Sequence, residues 1–429
     1  MNIKRRFMLL VAVFMMIPAI QVFASGQNEK AAVENEINLV YWSMWNETEP
    51  QAMVIKEAVK DFMNLNPGVN VEMQFNGRDI RTTLQPGIES GTKIDMWDED
   101  IDRIVGQWQK YAAPLDEYYT MTYPTTQGKA FKDTIMGPIQ DIVKTLSTDG
   151  KTYCVPYQPF VVASFYNKDH FKKAGITSTP SNWAELLEVA QKLQDAGFTP
   201  ITMDDAYMDL PMGIHLNKMF GNTADVEALV KDRTGKLWDD PRVLQAAKDL
   251  EALAPYMSKQ VASNKWPAGQ QEVATDQVSI YLTNGTWLPN EVMGTTGPDF
   301  NWGQFAYPDV TGGANTNGGI MSSQGFQINK DCTDKEVAFA LAAHLTTGKW
   351  DQELSKKSFG AAMDKGAEWP TQVAESKVIF DSLERRMPWS GGVGADGDAF
   401  AIIKMESTAL LAGEITAEVF IENIKSSLK

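Results

Sequence analysis

The sequence predicts an α/β protein of more than one domain, built on a partly parallel sheet. An N-terminal strand–helix–strand unit points to the class, and later helices carry their own start and stop signals between short apolar runs. The length of 429 residues exceeds what one core usually serves, since domains run to roughly 100–200 residues, and predicts two or three of them.

The chain opens with a segment outside that fold. Lys4, Arg5 and Arg6 form a basic start, Phe7 to Ile17 is unbroken apolar sequence, and Val22-Phe23-Ala24 supplies small residues at a cleavage spacing. This pattern predicts a secretory signal peptide over 1–24, because the apolar run falls short of the ~20 residues a membrane-spanning helix needs. Residues 25–36 are polar and are expected to form a loose leader. No later stretch is long and apolar enough to span a bilayer, so the processed chain is expected in soluble form without membrane insertion.

Ile37, Leu39 and Tyr41 alternate in a strand ending near Trp42. Pro50 then opens a helix that places Ile55, Val59, Phe62 and Met63 on one face, and Asn66-Pro67-Gly68 stops it. Val69, Val71, Met73 and Phe75 alternate in the next strand. A right-handed crossover makes such a pair parallel. Asn182 lies three residues before Glu185 and opens a helix burying Trp183, Leu186, Leu187, Ala190 and Leu193, which Gly197 ends. Thr333 and Glu336 suggest a second capping box, with Val337, Ala340, Leu341, His344 and Leu345 on one face of its helix. His344 is therefore expected at the edge of the core. Gly312-Gly313, Gly318-Gly319 and Gly391-Gly392-Val393-Gly394 read as loops.

Composition excludes several functions. With 39 basic and 55 acidic residues the net charge is −16, and without the first 24 residues it is 36 against 55, or −19. Nucleic acid and anionic lipid need a basic surface and are poor partners. Three histidines and two cysteines leave little for a metal centre, and no cofactor is expected. Cys154 and Cys332 meet an oxidising compartment after export, but sequence alone does not bring them within bridging distance, and two buried thiols are expected. No G-x-S-x-G or H-E-x-x-H occurs. Asp149-Gly150-Lys151-Thr152 imitates the end of a phosphate loop, yet Thr145 stands where the first glycine belongs. Asp396-Gly397-Asp398 lacks the later ligands of a calcium loop.

The aromatic residues fall at informative places. Trp42, Trp45, Asn46 and Glu47 follow the first strand. Trp97 precedes Asp98-Glu99-Asp100, Tyr157-Gln158 follows Val155-Pro156, and Trp287 follows Asn284-Gly285-Thr286 beyond the strand Val278 to Leu282. Ligands of open α/β sheets bind outside the carboxyl ends of strands. Flat rings cover the apolar face of a sugar, and carboxylates and amides exchange hydrogen bonds with its hydroxyls. The same residues would serve a secreted carbohydrate-active hydrolase, for which paired carboxylates are needed and Asp98-Glu99-Asp100 is the best cluster; otherwise that cluster reads as a solvated loop.

Val155-Pro156-Tyr157-Gln158, then Phe165 to Ile176 (FYNKDHFKKAGI) and Pro180 to Leu186, resemble a stretch typical of the sugar-binding extracellular solute-binding proteins of ABC importers, the group that includes maltose-binding protein. Leu39-Val40-Tyr41-Trp42-Ser43, Asn284-Gly285-Thr286-Trp287 and Leu411 to Glu418 are similar to further family segments, in the family's order. Cys154 replaces a usual glycine, and Lys93 to Trp97 replaces a usual Pro-Asp-Val strand.

The resemblance implies a two-lobe periplasmic-binding-protein fold of type II-like form, with a ligand cleft between lobes joined by crossover strands. It puts 37–155 plus 306–349 in one lobe and 156–305 plus 350–429 in the other. It implies a non-enzymatic monomer in the periplasm, partnered by a neutral carbohydrate and by permease membrane subunits. Carried over by position, Trp42, Trp45, Asn46, Glu47, Asp98, Glu99 and Asp100 line one wall, and Tyr157 and Gln158 lie at the crossover. Asp204, Asp205, Tyr207 and Trp287 belong to the other wall, with Asn317, Gly318, Gly319, Trp389 and Asp396 near the return crossing.

Overall fold

The computed structural model describes residues 36–428; the expected signal peptide over 1–24 and all but the last residue of the expected leader lie outside that range. Leu39 and Tyr41 turn inward from β1 (Ile37–Ser43). Pro50, which has no N–H to leave unpaired, takes the first position of helix Pro50–Leu65. That helix buries Ile55, Val59 and Phe62, and the Asn66 N–H closes it on the Phe62 carbonyl at 3.0 Å. The chain returns as β2 (Val69–Phe75), parallel to β1. β3 (Met96–Asp100) lies parallel along the other side of β1. The predicted strand–helix–strand unit is thus present.

Two long strands dominate the middle of the sheet. β4 (Val155–Asn167) is buried along its whole length, as a central strand covered on both faces should be. Its first half pairs antiparallel with β8 (Gly318–Ile328), from Val155 opposite Phe326 to Val161 opposite Met321. Its second half leaves β8 and pairs with β6 (Val278–Gly285) and β7 (Trp302–Phe305). β5 (Thr199–Thr202) adds to β6 in parallel, and β9 (Arg385–Met387) adds to β8. The order is β2-β1-β3-β8-β4-β6-β5. β4 slips register between Tyr157 and Pro159, where Gln158 has φ +45°. A bulge there accommodates the prolines at 156 and 159 and turns the strand.

Two buried clusters flank the sheet. One gathers Leu39, Ile55, Trp97, Phe326 and Phe339 and extends through Phe165 to Tyr281; the other gathers Trp183, Trp238, Leu250 and Phe420. The second cluster takes in the chain just past β7. Tyr307 and Val310 belong to the second cluster, where the Tyr307 hydroxyl lies 3.2 Å from His215 Nδ1 and Asp309 pairs with Lys218 at 2.9 Å. Helix Lys349–Ser358 lies instead against helix Pro50–Leu65, and Met363 accepts the Met136 N–H at 3.2 Å.

Asn182 caps helix Trp183–Asp195, accepting the Glu185 N–H at 3.0 Å; Leu187 is only half-buried. The Thr333 box does not form: helix Lys335–Thr346 starts after Asp334 without a side-chain cap. His344 sits at the core edge, 5.5 Å from the Phe62 ring and 3.3 Å from Asp61. Cys154 and Cys332 are buried and unpaired. Gly318 and Gly319 are strand residues rather than a loop, because β9 pairs with them and a Cβ at either would strike Arg385 or Leu383 at 2.8 Å. Among the described residues no helix is long and apolar enough to cross a membrane.

Candidate functional site

The first wall is built beyond β1. Asp98, in β3, is fully buried and accepts the Tyr41 hydroxyl at 2.9 Å, the Met44 N–H at 3.1 Å and the Tyr157 hydroxyl at 2.5 Å. Burial pushes its carboxyl up to about 6, against the pull of these donors. The Tyr157 oxygen in turn accepts Trp45 Nε1–H at 2.8 Å, and the Tyr157 ring stacks on Phe326 at 4.3 Å. A buried carboxylate thus fixes a tyrosine, which fixes the Trp45 indole. Arg78 covers that indole at 4.8 Å, donating to the Met44 carbonyl at 2.6 Å and to both oxygens of Glu49 at 3.0 and 3.1 Å.

The second wall is aromatic. Tyr207, Trp287 and Trp389 form a triangle with ring centroids 6.5, 6.2 and 6.5 Å apart. Phe160, on the crossing strand β4, meets Trp287 edge-on at 4.9 Å, and Trp287 Nε1 donates to the Tyr207 hydroxyl at 3.1 Å. Each ring has its own support. A Cβ on Gly285 would lie 2.3 Å from the Trp287 ring, so only glycine lets the indole fold back over the end of β6. Asp204, just before the Tyr207 turn, accepts the Gly269 and Gln270 N–H groups at 2.5 and 3.2 Å and the Tyr281 hydroxyl at 3.0 Å. This caps helix Ala268–Ala274 against the turn, and burial raises Asp204 to about 6. Trp389 stands on a turn clamped to helix Asp209–Phe220. Ser390 donates to Asp209, Asn217 Nδ2 donates to the Gly391 carbonyl at 2.6 Å, and a Cβ on Gly213 would come within 1.9 Å of the Ser390 oxygen.

Beside the triangle lies a polar group that sequence reasoning missed. Glu291 accepts Gln270 Nε2–H at 2.7 Å and Trp266 Nε1–H at 3.3 Å. Trp266 is 49% exposed, unusual for so large a ring. Water reaches Glu291, yet protein crowds its carboxyl and raises it to about 7, while Arg78 from the first wall pulls the other way.

The structure separates the other expected residues from this group. Trp42 is opposite Trp97 across β1 and β3 and packs on Gly87 under helix Ile80–Glu89. Asn46 folds back on Glu49 at 2.9 Å, and Glu47 pairs with Lys56 at the surface. Glu99 is buried against Arg81, bonded at 2.8 and 3.1 Å. Asp100 caps helix Ile101–Trp108 and is pushed up to about 7 by burial and by Asp102. The acidic cluster is thus strand, not solvated loop, because β1 and β8 enclose it. Tyr157 lies inside β4 rather than at a strand end, and Gln158 donates to Ser358 at 2.9 Å. Asp205 binds Lys265 at 3.0 Å and the Trp266 N–H at 3.0 Å, beside the second wall. Asn317 donates to the Ser382 carbonyl, and Gly318 and Gly319 lie in β8. Asp396 caps helix Gly397–Leu411 and pairs with Arg233 at 2.6 Å.

Phe160, Arg78, Gln270, Trp266 and Glu291 were not anticipated. Only Trp266 carried a signal, a tryptophan in a polar, proline-containing stretch. A surface cavity of about 530 Å³, lined by Tyr166, Lys168, Phe171, Lys172 and their neighbours to Thr179, shares no residue with either wall, and its lining holds no carboxylate.

Comparison with known proteins gives concordant findings. The family described as bacterial extracellular solute-binding protein matches residues 45–351. The multiple sugar-binding protein of Streptococcus mutans is 22% identical over 343 residues, 76% of each chain. A solved chitin oligosaccharide binding protein superposes with a TM-score of 0.69 at 20% identity, over 92% of this chain and 98% of that one. The GacH receptor of Streptomyces glaucescens, solved unliganded and with acarbose, superposes with a TM-score of 0.66 at 18% identity, over 92% and 97%.

Proposed function

The chain belongs to the bacterial extracellular solute-binding protein family, and we propose that it is the capturing component of an ABC importer. It closes two lobes on a neutral sugar or oligosaccharide and hands it, unaltered, to permease membrane subunits. It works as a soluble monomer in the periplasm after loss of residues 1–24. One observation carries the sugar reading: three rings, Tyr207, Trp287 and Trp389, held within 6.5 Å of one another by separate supports. Such rings cover the C–H faces of pyranoses, while nearby carboxylates and amides take their hydroxyls. The names of the Streptococcus mutans relative and of the chitin oligosaccharide binding protein support the same class. The net charge of −16 disfavours phosphorylated or acidic sugars.

The mechanism rests on β4 and β8, which cross between the lobes. A ligand touching both walls binds the shut form better than the open one, and only that difference can drive closure. Closure excludes water and strengthens each hydrogen bond inside. A micromolar affinity needs about −8 kcal/mol, within reach of two or three covered rings and a few charged acceptors.

A hydrolase would need two carboxyl groups free to flank a scissile bond. Asp98, Glu99 and Asp100 are instead committed to Tyr41 and Tyr157, to Arg81 and to a helix cap, which supports binding without turnover. The deciding experiment is titration calorimetry of the purified processed chain with maltotriose, raffinose and chitotriose, followed by chromatography of each after long incubation. Saturable binding with intact sugar is expected. Product release would overturn the binding reading, and binding of none would overturn the sugar.

A further inference from the structure

We propose that Glu291, backed by Gln270 and Trp266, is a ligand-contacting and specificity-determining residue of the cleft: its carboxylate accepts hydroxyl groups of the bound molecule, and binding is thereby tied to its ionisation. This rests on the sugar-binding reading and adds to it a residue outside every segment that carries the family resemblance.

Glu291 follows Trp287 by one helical turn, in helix Leu288–Glu291, so it rises beside the ring that anchors the aromatic triangle. Only one of its oxygens, Oε2, is engaged among the described residues, by Gln270 and Trp266. The other is left to accept from whatever fills the cleft. Gln270 is fully buried, and its own Oε1 has no partner. Its amide cannot be turned over to cure this without facing one oxygen with another at Glu291. A buried acceptor without a donor is unfavourable until a donor arrives. Gln270 Oε1 is enclosed, whereas the free oxygen of Glu291 is open to a donor; a polyol supplies one, a carboxylate or phosphate ligand does not, and Glu291 repels it. The exposed indole of Trp266 offers a further face at the same end of the group, so the site extends beyond the three rings.

The charged and titratable groups around Glu291 are few. Arg78, bonded to Glu49 and the Met44 carbonyl, favours the ionised form through space. Asp204 opposes ionisation from beneath Gln270, and Tyr207 lies beside it. Lys265 and Asp205 neutralise each other next to Trp266. With the carboxyl near 7, hydroxyl donors must bind the ionised form, so affinity rises with pH and a proton is released on binding. Between pH 6.5 and 8.0 the ionised fraction grows about fourfold. Asp204, near 6, is largely ionised throughout that window.

The test titrates maltotriose, raffinose and chitotriose into wild type and Glu291→Gln at pH 6.5 and 8.0, in two buffers of different ionisation enthalpy. Wild type should bind about fourfold more tightly at pH 8.0 and release a proton near pH 7. Glu291→Gln, a surface-reachable change of equal size, should fold normally, bind severalfold more weakly at pH 8.0, and show neither pH dependence nor proton release. Wild-type binding that is flat across this window, or a Glu291→Gln profile that still rises, overturns the inference and leaves the sugar reading standing. No binding of any of the three by wild type overturns both.

Discussion

Replacing Trp287 with Ala removes the ring at the centre of the second wall. In the free protein the indole is half-buried, stacked 6.2 Å from Trp389, edge-on to Phe160 at 4.9 Å, and donating to Tyr207. If a pyranose covers about 100 Å² of its face, the lost contact is worth ~2.5 kcal/mol at ~25 cal/mol per Å². That corresponds to roughly 70-fold in affinity. Because the ring is not enclosed, the cost to folding should be about 2 kcal/mol, below the ~3–5 kcal/mol of a fully buried tryptophan. Calorimetry measures the first quantity and urea unfolding the second. Trp287→Phe keeps a flat ring but loses the bond to Tyr207, and should lose less than about tenfold. Affinity of Trp287→Ala within twofold of wild type would refute the reasoning, as would a broad, non-cooperative unfolding curve that makes the loss global.

Other consequences are equally open to measurement. Gly213→Ala would place a methyl where the Ser390 carbonyl sits, displacing the turn that carries Trp389; affinity should fall at least severalfold while helix content by circular dichroism is kept, and unchanged affinity would detach that turn from the site. Burial holds Asp98 and Asp204 near 6 and Asp351 near 7. All three bind protons more tightly folded than unfolded, so the stability they contribute falls as pH rises through about 4 to 7. Burial lowers the three histidines and so pulls the other way below about 6.5; the check is therefore Asp351→Asn, whose melting temperature should fall less than that of wild type between pH 5.5 and pH 8, and an equal or larger fall would contradict the burial of Asp351. Cys154 and Cys332 are buried thiols, Cys332 pushed up to about 11 and Cys154 higher still. Neither should react with a thiol reagent in the native protein and both should in urea; a single disulfide on non-reducing mass analysis would refute this.

The periodic elements were legible because local rules set them. The alternation in Ile37–Ser43, the proline at the start of helix Pro50–Leu65 and the Asn182 cap needed nothing beyond nearest neighbours. Trp287 was named from its place after a strand, Tyr207 and Trp389 from the family resemblance, and the structure brings these three together. Where tertiary contacts decide, the sequence misled. Asp98, Glu99 and Asp100 resemble a wet loop, yet Arg81, two tyrosines and a helix start each satisfy one carboxylate inside the sheet. Trp42 and Trp45 look equivalent in sequence, but strand alternation sends the first beneath helix Ile80–Glu89, while the turn after β1 frees the second to reach Tyr157. Glu291 and Gln270 gave no signal because each is an ordinary helix residue, and their bond to one another and to Trp266 arises only from tertiary packing.

The claim on which the account rests is that two lobes shut on an uncharged, hydroxyl-rich molecule. Small-angle scattering of the processed chain, with and without saturating oligosaccharide, measures this directly. The account predicts a smaller radius of gyration with ligand, reversed on dialysis and reduced in extent by Trp287→Ala at the same sugar concentration. Identical profiles with every saccharide that calorimetry finds to bind would contradict it.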